Sequence, residues 1–490
     1  MFSANSPLYA AVAIAIVIVA VLLIKLCFQP GVTITDTVRH LEGRLHGRYR
    51  SSRFLPILLA LVTVAAWLSW RYWSMLQDYH VPFRFFYIAA GGLFLVQLLL
   101  ASTAKPFRHR RLEHDEDLHV AVIIPVYNES ETSLRECLDS IICQTRTPEE
   151  IHVVNDGSND TYPETQKWFE MLTQAMGVRA TWTHQENQGK RRAHATALDS
   201  ISHSENMIVV TVDSDGVLDP YAVEEGLKPF HDPEVQSVAG IVLAKNAQKN
   251  FLSRITDLLF VASQQLVDRA AMSQLGSVIV NSGGLAFYRA PIVHKALQKG
   301  YTDERFFGLR VHFSDDSFLT LFALAHGKTV QQPTAMVFAD MPVNMSHHVR
   351  QQLRWMRGSF IRAWWRIKHL PVFSWGFFRQ VLGWAVFAMA TIVFLQLLVF
   401  IPLLRHTAPP FPIILIPIIL GYFQCSRYFA IKRSDMSNRS QLFIFVLAPF
   451  ATVWSIIVLR GLRLYALVTW YQTGWGTRQE VEIVHSNDLD

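Results

Sequence analysis

The sequence predicts an α/β domain with a mostly parallel sheet, inserted between an N-terminal and a C-terminal group of transmembrane α-helices. Three observations predict it. First, 17% of the 490 residues are charged and 51% are hydrophobic, short of the roughly 25% charge of soluble chains, so part of the chain has lipid as its solvent. Second, uncharged apolar windows gather at the two ends, at 8–24, 54–70 and 85–101, then at 381–404, 411–425 and 442–459. Third, residues 105–345 hold most of the acids, contain no long apolar window, and alternate strand-like runs with an amphipathic helix. Collagen-like, disordered and disulfide-stapled classes are excluded. The four cysteines, Cys27, Cys137, Cys143 and Cys425, have no C-x-x-C spacing and read as buried small apolar residues.

Each window approaches the roughly 20 residues that a helix needs to cross the hydrocarbon core. The first is not a signal peptide by its flanks: no basic region precedes it, and Lys25, Arg39, Arg44, Arg48, Arg50 and Arg53 follow it. The positive-inside rule then places 29–53 in the cytoplasm and the N-terminus outside. The link 77–84 falls outside, and the third helix returns before Lys105, Arg108, Arg110 and Arg111. Residues 105–345 are thus a cytoplasmic domain of about 240 residues. Beyond it, 381–404 leads out, the Pro-rich link 407–412 lies outside, and the next helix returns at Arg427, Lys432 and Arg433. The net charge of +6 is largely accounted for by these juxtamembrane clusters, so it does not argue for a nucleic-acid partner. Window 442–459 contains Pro449 and runs into Arg460 and Arg463, which favours an interfacial or re-entrant segment over a span. The chain divides into helices with a basic loop (1–104), the globular domain (105–345), amphipathic interface helices (346–379), transmembrane helices (380–430) and a membrane-interface segment with a terminal loop (431–490).

Within the domain, 119–125 is a continuous apolar run of strand length. Leu134, Cys137, Leu138, Ile141 and Ile142 follow at helical spacing. A second strand, 151–154, ends in Asn155-Asp156-Gly157-Ser158, and a third, 207–212, ends in Asp213-Ser214-Asp215. In parallel sheets ligands bind beyond the C-terminal strand ends, where Asp156, Asp213 and Asp215 fall. Alone, Asp213 and Asp215 also suit a β-turn, but two carboxylates one residue apart can converge on a hard cation that bridges to a diphosphate. Asp156 could accept hydrogen bonds from a base or ribose, or serve turn chemistry alone. Lys190 and Arg191, after Gly189, bring positive charge suited to phosphates, although a basic run is more often a solvated surface. Asp315 and Asp316 equally suit a helix N-terminus, with Ser314 as its cap. Trp355, Trp364 and Trp365 equally suit an interfacial aromatic belt, the better reading for the latter two.

The combination is more specific than its parts. Pro125-Val-Tyr-Asn-Glu129, Asn155-Asp-Gly-Ser158, Gln188-Gly-Lys-Arg191, Asp213-Ser-Asp215, Ser282-Gly-Gly-Leu-Ala-Phe-Tyr-Arg289, Phe307-Gly308 with Phe313-Ser-Asp-Asp-Ser-Phe-Leu-Thr320, Gln351-Gln-Leu-Arg-Trp355 and Trp475-Gly-Thr-Arg478 occur in one order. In this the chain resembles the processive family 2 glycosyltransferases, the membrane-integrated synthases of cellulose, chitin and hyaluronan, with the hyaluronan synthases the closest pattern. The resemblance implies a GT-A-type domain, multi-pass in the plasma membrane with its catalytic side cytoplasmic. It implies Mg²⁺ or Mn²⁺ on Asp213 and Asp215, and a nucleotide pocket of Tyr127, Glu129, Asp156, Lys190 and Arg191, with Gln351 and Arg354 at the diphosphate. Asp316, beside Asp315, would be the general base. Trp355 would stack on the acceptor sugar near Ser282, Gly283 and Gly284, and Trp475, Gly476, Thr477 and Arg478 would form a gating loop. The chemistry asks for the same types: a base for the incoming hydroxyl, and a cation with Arg for the departing UDP.

Expected partners are UDP-GlcNAc, with UDP-GlcA or UDP-Glc as the other donors, the growing polysaccharide, the bilayer and, as an option, a second subunit. The sequence also departs from the pattern. A Gly-Pro in the acceptor-side loop reads Gly283-Gly284, expected to loosen it, and an Arg after the paired acids is Ser317. Twelve residues follow Arg478, where animal hyaluronan synthases continue into further membrane helices; an extra N-terminal helix is expected instead, leaving the channel to different helices or to a second subunit. A chitin or glucan polymer, a single sugar transferred to lipid, and a catalytically silent channel subunit stay open as alternatives to a hyaluronan-like product.

Overall fold

The computed structural model describes residues 43–50, 84–108, 118–202, 206–405 and 412–474. The expected helices at 8–24 and 54–70, Cys27, and the expected gating residues Trp475, Gly476, Thr477 and Arg478 lie outside the described residues.

The apolar runs of the central region become strands because each buries both faces. In chain order the strands are β1 (Gly47–Tyr49), β2 (His119–Val126), β3 (Glu150–Asp156), β4 (Arg179–Gln185), β5 (Met207–Val212) and β6 (Val217–Leu218). They continue with β7 (Val235–Ala244), β8 (Leu285–Arg289), β9 (Arg305–Phe306), β10 (Leu309–Arg310), β11 (Lys328–Ala339) and β12 (Ile431–Arg433). Eight of them form one sheet in the order β4-β3-β2-β5-β8-β7-β11-β6. Along β2, Val120, Val122 and Ile124 enter the core under helix Glu131–Ile142. Ala121 and Ile123 enter the opposite core with Ala193, Val293 and Phe318. This is the period-2 alternation of a strand covered on both sides. Helix Glu131–Ile142 buries the residues its spacing predicts, and Ser130 caps it by accepting from Ser133 N at 3.1 Å.

The sheet is less uniformly parallel than expected. Pairs β2–β3, β3–β4, β2–β5 and β7–β11 are parallel, whereas β8 runs antiparallel between β5 and β7, and β6 runs antiparallel to β11. Outside the sheet, β1 pairs with β12, and Asp219 accepts from Gly47 N at 2.8 Å, so the segment at 43–50 and the one after 430 meet on the globular domain.

Window 85–101 is helix Arg84–Thr103, and 411–425 falls on helix Pro412–Gln424. Window 442–459 falls on two helices: Asn438–Val446 stops at Leu447, and a new helix starts at Ala448 with Pro449 in its first turn, where proline's missing N–H costs nothing. That helix continues past both arginines to Val468. By length and composition Ala448–Val468 is the one helix among the described residues able to cross a membrane. Cys137 and Cys425 are buried as expected; Cys143 is exposed, because helix Glu131–Ile142 ends there.

Candidate active site

Strand direction assembles the site. In the parallel set, β2, β3 and β5 all end on one edge, delivering Tyr127 and Glu129, Asp156, and Asp213 to Asp215. Because β8 is antiparallel, with Leu285 opposite Val212, its entry loop Ser282, Gly283 and Gly284 arrives on the same edge. These residues line one cavity of about 1290 Å³, together with Lys190, Asp315, Asp316, Gln351, Arg354 and Trp355. Positions far apart in sequence thus meet as the motifs suggested.

Asp156 is buried and saturated: Oδ1 accepts from Gln185 Nε2 at 2.6 Å and Gln188 N at 3.0 Å, and Oδ2 from Gly189 N at 2.8 Å. Burial raises its pKa against those bonds. The acid therefore fixes the loop that starts helix Lys190–Asp199, and Gly189 takes φ +90° there, a conformation that favours glycine. Glu129, also buried, accepts from Ser214 Oγ at 3.1 Å and so braces the turn between Asp213 and Asp215.

Lys190 is the positive centre. Its Nζ lies 2.5 Å from Asp213 Oδ1 and 3.4 Å from Asp315 Oδ2. Burial disfavours the ammonium, but Asp213 and Asp315 outweigh it and hold its pKa above the usual lysine value. A Cβ on Gly283 would come within 3.3 Å of that Nζ. Gly283 and Gly284 do not have positive φ, and their missing side chains leave room beside the Lys190–Asp213 pair.

The adjacent acids differ. Asp315 is buried, and although burial alone would raise its pKa, Lys190 holds it well below the ordinary carboxylate range. Asp316 is half-buried, and burial followed by the charge of Asp315 pushes its pKa up. Ser317 N and Oγ donate to Asp316 Oδ1 at 2.6 and 3.2 Å, so the Ser that replaces an Arg orients this carboxylate. Ser314 does not cap as expected; it adopts φ +59° and makes no capping bond.

Gln351, Arg354 and Trp355 share helix Met345–His369, which Asn344 caps by accepting from His347 N at 2.8 Å. Trp355 stacks on Phe260 with centroids 5.5 Å apart and planes 23° apart. Phe260, Gln264 and Arg269 also line the cavity, from the π-helical stretch Leu258–Arg269. The sequence reading missed them, since a π-helix disrupts the 3.6-residue period on which a helical face is recognised. Trp364 is exposed, whereas Trp365 is half-buried against Phe306 and His369. The placement also differs for Arg191, which turns away from the cavity: it is buried and bonded to Glu304 and to the carbonyls of Tyr301 and Phe313.

Among the described residues no three His, Cys, Asp or Glu side chains form a metal cage. The donor chemistry nevertheless fits Mg²⁺ or Mn²⁺, which commonly take one or two carboxylates and complete their shell with substrate phosphates and water. Asp213 and Asp215 are two half-buried oxygen donors on the cavity wall.

The profile described as glycosyl transferase family 2 matches residues 121–297, the span that supplies most of the donor end of the cavity. A hyaluronan synthase of Streptococcus pyogenes is 33% identical over 400 residues, covering 79% of this chain and 89% of that protein. The chain belongs to the processive family 2 glycosyltransferases, near the hyaluronan synthases. An N-acetylglucosaminyltransferase of Azorhizobium caulinodans is 28% identical over 379 residues, covering 74% of this glycosyltransferase and 87% of that one. Among solved structures, a mannosyltransferase of Pyrobaculum calidifontis in complex with GDP-Man and Mn²⁺ aligns with a TM-score of 0.43 at 18% identity, over 79% of the transferase and 97% of that chain. By the family match and the hyaluronan synthase relative, the enzyme is a hexosyltransferase with an α/β glycosyltransferase domain.

Proposed function

We propose that this glycosyltransferase is membrane-integrated and processive, inverts the anomeric centre of UDP-sugars, and extends and secretes a hyaluronan-like polysaccharide. The observation that carries the reading is that one cavity is lined by the Asp213–Asp215 acids, Lys190, Asp316 and the Arg354–Trp355 pair. Asp316 takes the proton from the attacking acceptor hydroxyl, and its raised pKa makes it the better base of the two adjacent acids. Asp315 stays ionised beside Lys190 and disfavours a second buried negative charge, which keeps Asp316 ready for a proton. Lys190 and Arg354 face the diphosphate as it departs, while Tyr127 and the Asp156-fixed loop bound the nucleotide. Asp213 and Asp215 would hold Mg²⁺ or Mn²⁺, which supplies charge neutralisation for the diphosphate. Trp355, stiffened by Phe260, offers a ring face to the acceptor sugar.

Support for a uronate-bearing product comes from the membrane-side lining, where Arg366, Arg379 and Arg463 reach the same cavity; cations there suit a polymer that carries carboxylates. The 28% identity to an N-acetylglucosaminyltransferase favours as second reading a polymer of GlcNAc alone. Purified protein supplied with Mn²⁺ and with UDP-GlcNAc, UDP-GlcA and UDP-Glc, singly and in pairs, separates them. Sustained UDP release only with UDP-GlcNAc and UDP-GlcA together is the expected result; release sustained by UDP-GlcNAc alone would establish the second reading.

A further inference from the structure

One buried carboxylate sits among charges that the reaction does not touch. Glu304, 6% exposed, accepts from Arg362 Nη2 at 2.6 Å and from Arg191 Nη2 at 2.8 Å. Both guanidinium groups are buried, Arg362 at 1% and Arg191 at 4% exposure. They belong to different parts of the site. Arg191 follows Lys190, and its remaining bonds reach the carbonyls of Tyr301 at 3.0 Å and Phe313 at 2.5 Å, the latter in the segment leading to Asp315 and Asp316. Arg362 lies about two helical turns beyond Arg354 on the interface helix. Both cations also rest on the ring of Phe318, in the helix that carries the paired acids, at 5.4 and 5.2 Å.

An ion triad is a poor way to gain stability alone, because apolar side chains of similar volume fill such a site at no loss or at a gain. What charges provide is a fixed geometry. Asp316 lies within electrostatic reach of Arg362, and Asp315 of Arg191, so without Glu304 these cations would be left to act on the two acids of the reaction centre.

We propose that Glu304 is a positioning residue for glycosyl transfer. It registers the interface helix, and with it Arg354 and Trp355, against Lys190 and the Asp315–Asp316 helix, and it keeps Arg191 and Arg362 occupied away from those acids. The inference rests on the functional reading above, and the wild-type enzyme is the control that separates the two: wild-type protein releasing no UDP from any donor would sink that reading.

The test compares full-length wild type, Glu304→Gln and the apolar triple variant Arg191→Met, Glu304→Leu, Arg362→Met by UDP-binding titration, UDP-release kinetics and thermal unfolding. Glu304→Gln is expected to bind UDP with wild-type stoichiometry and a donor KM within about twofold, while kcat falls about 100-fold, the scale of a misplaced reacting group. The triple variant is expected to unfold at or above the temperature of Glu304→Gln without regaining kcat. A loss of kcat in Glu304→Gln that only matches a loss of UDP-binding sites would overturn the proposal. So would recovery of kcat in the triple variant, which would leave the triad a purely structural tie.

Discussion

Two stretches of the cavity lining differ in charge, one mainly acidic and one mainly basic. At the sheet edge, Asp213 and Asp315 flank Lys190, with Asp215 and Asp316 lining the same cavity. Elsewhere the lining includes Arg366, Arg379 and Arg463; Arg379 lies 3.9 Å from Asp268, and Arg463 lies over the ring of Phe387 at 4.6 Å. Several carboxylates lining one cavity favour a bound cation, so the donor end is suited to one. An arginine held over aromatic rings, as Arg463 is, is a weakly hydrated cation that favours a passing anion without fixing it in one pose. On the proposed function this contrast is a division of labour, in which the acidic end would perform bond exchange and the basic end would govern how long the product stays.

The largest expected effect is at the acidic end. Asp316→Asn removes the base and keeps the shape, and UDP release should fall about 1000-fold, within the range for positioned proton transfer, while UDP still binds; unchanged turnover would remove Asp316 from the mechanism. A smaller effect concerns pH. Asp316 works as a carboxylate, and because burial and Asp315 raise its pKa, activity should be lost on acidification with a midpoint above the roughly 4 of an ordinary Asp. Asp315→Asn removes one raising influence, so that acid limb should move to lower pH; a limb that stays in place would mean another group controls it. The smallest effect on turnover belongs to the basic end. Arg463→Gln should change the rate of UDP release by less than about threefold yet shorten the product measured by gel filtration, since a lost surface-type charge contact costs about 1 kcal/mol or less. A collapse of UDP release in that variant would break the division itself.

Much of this was legible in the residues because strand ends carry their own signals. The runs ending at Asp156 and Asp213 are strands buried on both faces, and their final residues reach the binding edge by topology alone. The spacing of Leu134, Cys137, Leu138 and Ile141 likewise reported the covering helix. Other features had no local signal. Arg191 sits in the same basic run as Lys190 and differs only in which way its position on the helix faces, so the motif placed it at the phosphates and the fold placed it under Phe313. Glu304 finds partners 58 and 113 residues away, a separation no periodicity can announce. Phe260 lies on a π-helical stretch whose period no helical template matches.

The sequence by itself determined the kinds of chemistry present, the α/β core and the strand ends that carry the acids, because hydrophobic period and turn chemistry are local properties. Only the tertiary structure decided which of two adjacent acids has the raised pKa, what stands beside Gly283, and that Arg191 turns away from the cavity. Those depend on burial and on charges brought within a few ångströms by distant segments, and in a low-dielectric interior such neighbours, more than the residue's own type, set its pKa and its role.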